Sequence, residues 1–362
     1  MGAWGISGKG GIESMENLTP LMQMEIGGVN FSIAVPAAPG LPVVPVEPGV
    51  PYVPGKTPYL LQEHDPTYGG FFKKENQRKN KNPGAGMIDI KINLEWGNLP
   101  ETGKLTKIFD SNQSWQMYRE GGIYWAVLHP PAHEKPLWAA RFNRDVKEVT
   151  VYCSRQFIQK RNGKAIILNP VRYPLDQLLI MYILAQHQGA VIHAAGIEMN
   201  GKGFIFAGPS GAGKSTLARW FNTSREQNHP GASVLSDERI VTRKINGIFK
   251  AYGTPWHGEE GTTRNKSVPL SGIFFLNHAK ENTVTPLNPQ EALDKLLKVT
   301  SIPWYDREVM PGVLRFCDDL LTRVPLFELH FTPGLEVVSL LEKICLTNHG
   351  TLYYNTINGN VK

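Results

Sequence analysis

The 362-residue chain has few cysteines and no long apolar run, and both shortages exclude classes of protein. Its three cysteines, Cys153, Cys317 and Cys345, are far apart and form no C-x-x-C pair. We therefore expect neither a disulfide framework nor a thiolate zinc site, and the pattern fits a reducing cytoplasm. The longest apolar run, residues 178–185, is too short to cross a bilayer, and the N-terminus lacks the pattern of a secretory signal. The sequence predicts a cytoplasmic protein that has no membrane partner.

The chain also lacks a strong excess of charge of either sign. Its formal net charge of +6 is small for this length. Such a charge suits a protein that binds nucleotide phosphates or an acidic partner, and it does not indicate nucleic acid. The basic tract at 73–81 (KKENQRKNK) has no interleaved aromatic residues, so it is predicted to be a solvated loop.

The first half of the chain has the alternating pattern of β-strands. Residues 25–35 predict one strand, and residues 87–154 predict several short strands in an antiparallel sheet. Prolines stand at every third position from 36 to 54, which is the period of a polyproline II rod. This segment is predicted to be a spacer, with a docking ligand for an aromatic groove as the alternative.

A glycine-rich stretch in the second half fits the phosphate-binding pattern G-x-x-x-x-G-K-[ST]. It consists of Gly208, Pro209, Ser210, Gly211, Ala212, Gly213, Lys214, Ser215 and Thr216. A predicted strand at 203–207 precedes it and a predicted helix follows it, as such a loop requires. In this pattern Lys214 reaches the β- and γ-phosphates and the Ser215 hydroxyl binds Mg²⁺. The predicted ligands are therefore ATP and Mg²⁺.

The elements around this loop are unusual for an all-parallel nucleotide-binding sheet. Residues 190–199 and 203–207 predict a hairpin about Asn200-Gly201, so the strand that leads to the loop has an antiparallel partner directly before it. Residues 175–183 carry a stripe of apolar side chains at helical spacing. A short strand at 233–237 ends in Asp237, whose carboxylate is placed to face the metal-phosphate group or an incoming hydroxyl.

Four segments in this order resemble the C-terminal domain of HPr serine kinase/phosphorylase and its related kinases. They are residues 191–196 (VIHAAG), the glycine-rich stretch, residues 235–239 (LSDER) and residues 255–260 (PWHGEE). The resemblance covers roughly residues 170–340. It implies an α/β fold with a mixed-sheet P-loop kinase domain, similar to the nucleotide-binding part of phosphoenolpyruvate carboxykinase, which a smaller antiparallel β-rich domain precedes.

The resemblance, with the composition of the rest, divides the chain into four parts. These are a poorly ordered N-terminus (1–24), a β-rich domain with a proline-rich and basic insertion at 36–86 (25–160), an ATP-binding domain (161–345) and a C-terminal tail (346–362).

The resemblance also implies roles for individual residues. His193, Lys214 and Asp237 match catalytic positions, with Asp237 as the general base. Ser215, Asp237, Glu238 and Glu259 match or lie near metal-binding positions, and Glu238 stands where the family usually has a second aspartate. Arg264 and Arg307 are the candidates for a later active-site arginine.

Each of these residues also has a plainer interpretation. His193 could be a core histidine, Asp237 a metal ligand without a role as base, and Glu259 a charge on a loop.

The resulting functional prediction is an ATP-dependent serine kinase whose acceptor is a protein or a peptide, such as a small precursor peptide or a phosphocarrier protein. The chain has no E-x-R-G-x-G-[IL] segment, so the resemblance does not extend to phosphorylase activity or to HPr as the acceptor. HPr kinases are hexameric, which leaves a homo-oligomer open. The alternatives are a nucleotide-binding switch or scaffold without phosphoryl transfer, and a small-molecule or carboxykinase-type enzyme.

Overall fold

A computed structural model describes residues 22–34, 60–61, 67–73, 86–97, 99–161, 164–226 and 231–346. The predictions for residues 1–21, for the proline repeat, for the basic tract after its first residue and for the tail after residue 346 lie outside these ranges. In the ranges that are described, no helix is long and apolar enough to span a bilayer.

The described residues form two eight-stranded sheets, a small three-stranded sheet and five α-helices. The strands are β1 (Met22–Ile26), β2 (Val29–Ala34), β3 (Leu60–Leu61), β4 (Ile88–Trp96), β5 (Thr106–Asp110), β6 (Trp115–Glu120), β7 (Ile123–Leu128), β8 (Trp138–Asn143), β9 (Glu148–Cys153), β10 (Ile158–Arg161), β11 (Lys164–Ile167), β12 (Gly189–Met199), β13 (Lys202–Ala207), β14 (Ala232–Ser236), β15 (Arg239–Ile245), β16 (Ile248–Tyr252), β17 (Ser267–His278), β18 (Thr283–Pro286) and β19 (Leu326–Phe331). The helices are α1 (Leu175–Leu184), α2 (Lys214–Glu226), α3 (Pro289–Val299), α4 (Met310–Arg323) and α5 (Leu335–Leu346). The fold is therefore mixed α/β.

The first sheet has the strand order β1-β2-β4-β9-β8-β7-β6-β5 and corrects two expectations. The single strand predicted at 25–35 is wrong, because Gly27 and Gly28 take positive φ values of 62° and 73° and turn the chain between β1 and β2. Residues 22–24, predicted to be poorly ordered, belong to β1, where Met22 and Met24 are buried.

The purely antiparallel sheet predicted for this region is also wrong. Strand β4 pairs in parallel with both β2 and β9. The physical reason is connectivity: long stretches of chain separate β4 from each of these neighbours, and parallel pairing needs such a crossover. The hairpin-linked strands β5 to β9 pair antiparallel, as expected.

The second sheet places two strand ends side by side. The predicted hairpin of β12 and β13 is present, and its turn residues Asn200 and Gly201 both have positive φ. Strand β14 also pairs antiparallel with β12, so β13 and β14 run in the same direction on its two sides. Their carboxyl ends meet at one edge of the sheet, which brings Gly208 and Asp237 to the same region.

The two large sheets share one hydrophobic core, and α1 lies within it. The apolar stripe predicted for this helix understates its burial, because residues 175–184 are all buried except Gln177. The Tyr182 ring lies 5.1 Å from that of Tyr124 and 5.5 Å from that of Phe142, both from the first sheet. The predicted domain boundary at 160/161 therefore stays a prediction, and one buried cluster extends across it.

A buried arginine links the first sheet to the second. Arg243, in β15, is 2 % exposed, and its guanidinium donates hydrogen bonds to the carbonyls of Gly27 (3.3 Å), Gly28 (3.1 Å) and Gly86 (2.7 Å). We expect Arg243→Met to lower the free energy of unfolding by about 3 kcal/mol, because it leaves buried carbonyls without donors.

Urea unfolding followed by circular dichroism measures this difference. The matched control is Arg323→Met, which removes an exposed guanidinium that pairs with Asp319 one helical turn away. This control should change stability by less than about 1 kcal/mol. Equal effects of the two substitutions would contradict the role of Arg243 as a link between the sheets.

Candidate functional site

The glycine-rich loop joins the end of β13 to the start of α2, as the sequence predicts. Gly211 and Gly213 have positive φ values of 81° and 94°. A Cβ at position 213 would also lie only 2.7 Å from Cζ of Phe331, so both the backbone and the space require glycine there. His278 at the end of β17 lies against the loop, with its Nε2 2.8 Å from the Gly211 carbonyl oxygen.

Lys214 is folded back onto this loop. Its ammonium donates to the carbonyls of Gly208 (3.1 Å) and Pro209 (2.9 Å), and only 5 % of the residue is exposed. Burial lowers the pKa of Lys214. In α2 the Leu217 N–H donates to the Gly213 carbonyl, so the N–H groups before Leu217 point toward the loop. A buried cation beside such N–H groups suits an anion, and phosphate is the anion that this loop pattern binds.

Three oxygen atoms, one from α2 and two from the turn between β14 and β15, converge beside Gly258. A Cβ at this position would lie 2.9 Å from Ser215 Oγ, 2.9 Å from Asp237 Oδ2 and 3.3 Å from Glu238 Oε2. One hydroxyl and two carboxylates are ligands that Mg²⁺ accepts, and it usually completes its octahedron with phosphate oxygens and water. The residues present therefore fit the metal that the sequence implies.

Asp237 holds the segment that follows Trp256. The residue is fully buried, and its Oδ1 and Oδ2 accept the backbone N–H groups of Gly258 (3.0 Å) and Glu260 (2.9 Å). Both carboxylate oxygens of Asp237 are thus engaged by the protein, and this places Gly258 against the three oxygens.

Glu238 has a different environment from its neighbour. Its Oε1 lies 2.9 Å from Nε2 of His193 in β12, and 28 % of its side chain is exposed. The close contact with His193 is the main cause that lowers the pKa of Glu238, and the positive charge of Lys214 contributes. The structure thus brings His193, Lys214, Ser215, Asp237 and Glu238 together.

Other predicted residues lie elsewhere. Glu259 is exposed, and the carboxylate of Glu260 pairs with Arg219 at 2.6 Å. Arg307 is exposed, while the pKa of Arg264 is lowered by burial and by the nearby charge of Arg225. In the described ranges no group of three or more histidine, cysteine, aspartate and glutamate side chains is arranged to hold a metal ion. Any metal here would depend on Ser215 and on oxygens from a ligand.

A cleft of about 300 Å³ opens beside Glu238, and we call it the Glu238 cleft. Its lining includes Tyr68, Arg172, Tyr173, Arg239, Trp256 and His257 as well as Glu238. Arg172 and Arg239 therefore line the cleft, whereas Arg264 and Arg307, the candidates that the resemblance offers, are not part of its lining. Asp237 is not part of its lining.

The wall of the cleft depends on a residue that sequence reasoning missed. Asp176, fully buried in α1, accepts hydrogen bonds on Oδ2 from the Tyr68 hydroxyl (2.7 Å) and from the Trp256 indole N–H (3.0 Å). Burial raises the pKa of Asp176 to about 6. The available signal was a carboxylate within the largely apolar stretch LDQLLIMYIL.

Comparison with known proteins adds one family. Residues 159–311 match the family described as SynChlorMet cassette protein ScmC. The match covers about two fifths of the chain, and it includes the glycine-rich loop, His193, Asp237, Glu238 and most of the cleft lining. No curated protein matches the chain. All the residues that converge beside Gly258 thus lie within the ScmC-matching segment.

The pairing of His193 with Glu238 in this segment predicts a pH-dependent contribution to stability. The folded-state pKa of Glu238 lies below the ordinary glutamate value of 4.5. The paired carboxylate therefore stabilises the fold above about pH 4.5, and this contribution is lost as the pH falls through the lower, folded-state pKa. We expect a favourable coupling free energy between His193 and Glu238 at neutral pH that fades in acid.

A double-mutant cycle with His193→Ala and Glu238→Ala, measured by urea unfolding at about pH 7 and about pH 3.5, tests this expectation. His193→Gln is the matched control, because its amide still offers a donor to Glu238 and should keep part of the coupling. A coupling free energy that is the same at both pH values would contradict the assignment.

Proposed function

We propose that the protein is an ATP-dependent kinase that transfers the γ-phosphate to a serine hydroxyl of a protein or peptide. The observation that carries this proposal is the position of the His193–Glu238 pair, between the glycine-rich loop and an open cleft. A phosphoryl donor on the loop and an acceptor in the Glu238 cleft would meet at this pair.

The chain supplies most of the groups that phosphoryl transfer needs. Lys214 and the N–H groups at the start of α2 would neutralise the β- and γ-phosphates. Ser215 and Asp237 would hold Mg²⁺, with Glu238 beside them. When bound, the metal would neutralise charge on the β- and γ-phosphate oxygens. The HPr kinase resemblance remains the basis for serine as the acceptor.

We further propose Glu238 as the general base, in place of the Asp237 that the resemblance implies. Asp237 is fully buried, and both of its oxygens accept backbone N–H groups, so an acceptor hydroxyl has no open path to it. Glu238 lines the cleft, and one of its oxygens is oriented by His193. A carboxylate in hydrogen-bond reach of the acceptor can take its proton as the new bond forms.

A nucleotide-binding switch or scaffold is the main alternative. A protein of that kind needs the loop and the metal ligands, but it has no use for a histidine-oriented carboxylate that faces an open cleft. A small-molecule kinase would use the same groups, and only the acceptor would differ.

The direct test is incubation with γ-³²P-labelled ATP and Mg²⁺, with serine peptides and the small proteins encoded beside this chain as acceptors. We expect label on serine in at least one acceptor and none when Mg²⁺ is chelated. Tight binding of Mg-ATP without transfer to any acceptor, unchanged by Glu238→Gln, would support the switch and overturn the kinase.

A further inference from the structure

A second cavity, of about 360 Å³, lies where the two halves of the chain meet, and we call it the apolar pocket. Its aromatic lining comes from β5 (Phe109), β6 (Trp115), the segment before α1 (Tyr173) and the segment before α4 (Trp304 and Tyr305). The Phe109 ring lies 4.8 Å from the Trp115 ring and 4.5 Å from the Tyr305 ring. All of the lining side chains in the described part of the chain are uncharged.

Two aromatic side chains of this pocket are open to solvent. Tyr173 is 60 % exposed and Trp304 is 56 % exposed, and they are the most exposed large hydrophobic residues in the described ranges. Exposed aromatic surface that surrounds a concave site is typical of a surface that binds a partner. The first property of the occupant is therefore a large apolar group.

The apolar pocket adjoins the Glu238 cleft. Tyr173 lines both cavities, and we call the two together the groove, which extends from Glu238 past this ring to Trp304. The cleft end carries Arg172, Arg239 and His257 around Glu238. The groove thus has a mainly basic end at the proposed phosphoryl-transfer site and an apolar end beyond it, which suits an extended ligand with a carboxylate and an apolar side chain.

We propose that the acceptor is a peptide segment that carries an aromatic or large aliphatic side chain and a carboxylate near its serine. The apolar side chain lies in the apolar pocket, the carboxylate faces the arginines of the cleft, and the serine lies at Glu238. This rests on the proposed function. In the transfer step the serine Oγ bonds to the γ-phosphorus, the bond from that phosphorus to the β,γ-bridging oxygen breaks, ADP leaves, and Glu238 takes the hydroxyl proton.

The experiment uses the full chain with synthetic serine peptides in which one phenylalanine is moved through every position on either side of the serine. We expect kcat/KM to rise about tenfold or more at one particular spacing, compared with the peptide that has alanine at every scanned position. In Trp304→Ala the ratio of kcat/KM for the favoured phenylalanine peptide to kcat/KM for the all-alanine peptide should fall toward one. Trp304→Phe should keep part of this preference for phenylalanine.

Ile248→Ala is the matched control, because Ile248 is a 53 % exposed apolar side chain on β16 and is not part of the groove lining. It should leave the phenylalanine preference unchanged. Peptides with a free C-terminus, with an amidated C-terminus and with an internal aspartate distinguish a terminal carboxylate from an acidic side chain. If neither a free C-terminus nor an internal aspartate raises kcat/KM above that of the amidated peptide, that part of the proposal is overturned.

Binding of the phenylalanine peptides without ATP, measured by isothermal titration calorimetry, separates this proposal from the proposed function. Binding that depends on the position of the phenylalanine in the wild type but not in Trp304→Ala supports the groove even if transfer to every peptide fails. If transfer occurs but kcat/KM does not depend on the position of the phenylalanine, the groove proposal is overturned and the kinase proposal is kept. An oligomer that dissociates in Trp304→Ala, measured by analytical ultracentrifugation, would also overturn it, because a second copy of the chain would then cover the pocket.

Discussion

We expect Glu238→Gln to lower the rate of phosphoryl transfer by about 10²–10⁴-fold while ATP binding and folding change little. Glutamine keeps the shape of the side chain and can still accept a hydrogen bond from His193, but it cannot take a proton. Because 28 % of this side chain is exposed, the glutamine amide stays in partial contact with water. Single-turnover transfer of labelled phosphate measures the rate, and the shift in melting temperature with ATP measures binding.

Asp237→Asn is the matched comparison, because it changes the neighbouring carboxylate in the same way. The carboxylate of Asp237 accepts two backbone N–H groups, and an asparagine can accept only with its single oxygen. We therefore expect Asp237→Asn to lower the free energy of unfolding by about 1–3 kcal/mol and to disturb the segment at 258–260. It should also weaken the binding of Mg²⁺. These losses distinguish a residue that builds the site from one that takes a proton.

The opposite pattern would overturn the assignment of the base. If Glu238→Gln transfers phosphate at the wild-type rate, and Asp237→Asn is folded, binds Mg-ATP and does not transfer, Asp237 is the base as the resemblance implies. Gly258→Ala adds an independent control, because its methyl group would lie 2.9 Å from both Ser215 Oγ and Asp237 Oδ2 without any change of charge. It should raise the Mg²⁺ concentration needed for half-maximal rate.

The elements that the sequence predicts well are those that local rules determine. Asn200-Gly201 sets the hairpin of β12 and β13, since both residues adopt positive φ easily. The glycine-rich loop is recognisable because it needs glycines, a lysine and a following helix within one short stretch. The site residues closest to this loop in the sheet, His193 and Asp237, could be placed because β12 and β14 are its near neighbours in the chain.

The features that sequence reasoning misses depend on residues far apart in the chain. Tyr68 and Asp176 are 108 positions apart, yet their hydrogen bond builds one wall of the cleft. The parallel pairing of β2 with β4 likewise depends on a long connection and not on any alternation of residues. Arg172 lies in no motif, and Arg239 ends the LSDER segment without a role that the sequence assigns, so only tertiary structure places them both at the cleft beside Glu238.

The relative roles of Asp237 and Glu238 could not be predicted for a related reason. Adjacent residues after a strand point in different directions, and the sequence does not say which one faces solvent. Burial decides it: Asp237 is turned inward to the 258–260 backbone, and Glu238 is turned to the cleft and to His193. Glu259 fits the same metal pattern in sequence, but it is exposed.

Lys214→Ala should abolish the response of the protein to ATP. The lysine is the buried cation of the loop, and the loss of charge-assisted hydrogen bonds to phosphate should weaken nucleotide binding by about 10–100-fold. Because the lysine charge would also stabilise the phosphate during transfer, its removal should slow transfer by about 10²–10³-fold. The free energy of unfolding should fall by about 1–2 kcal/mol, because the Gly208 and Pro209 carbonyls lose a donor, although burial already disfavours the charged form of Lys214 and lowers its pKa.

Thermal unfolding with and without Mg-ATP tests this prediction without reference to any acceptor. The wild type should melt at a higher temperature as ATP is added, and Lys214→Ala should not. Lys202→Ala, at the other end of β13, is the matched control and should respond to ATP like the wild type. A full ATP-dependent shift in Lys214→Ala would show that the loop at 208–216 is not the nucleotide site, and the roles proposed for Ser215, Asp237 and Glu238 would lose their basis with it.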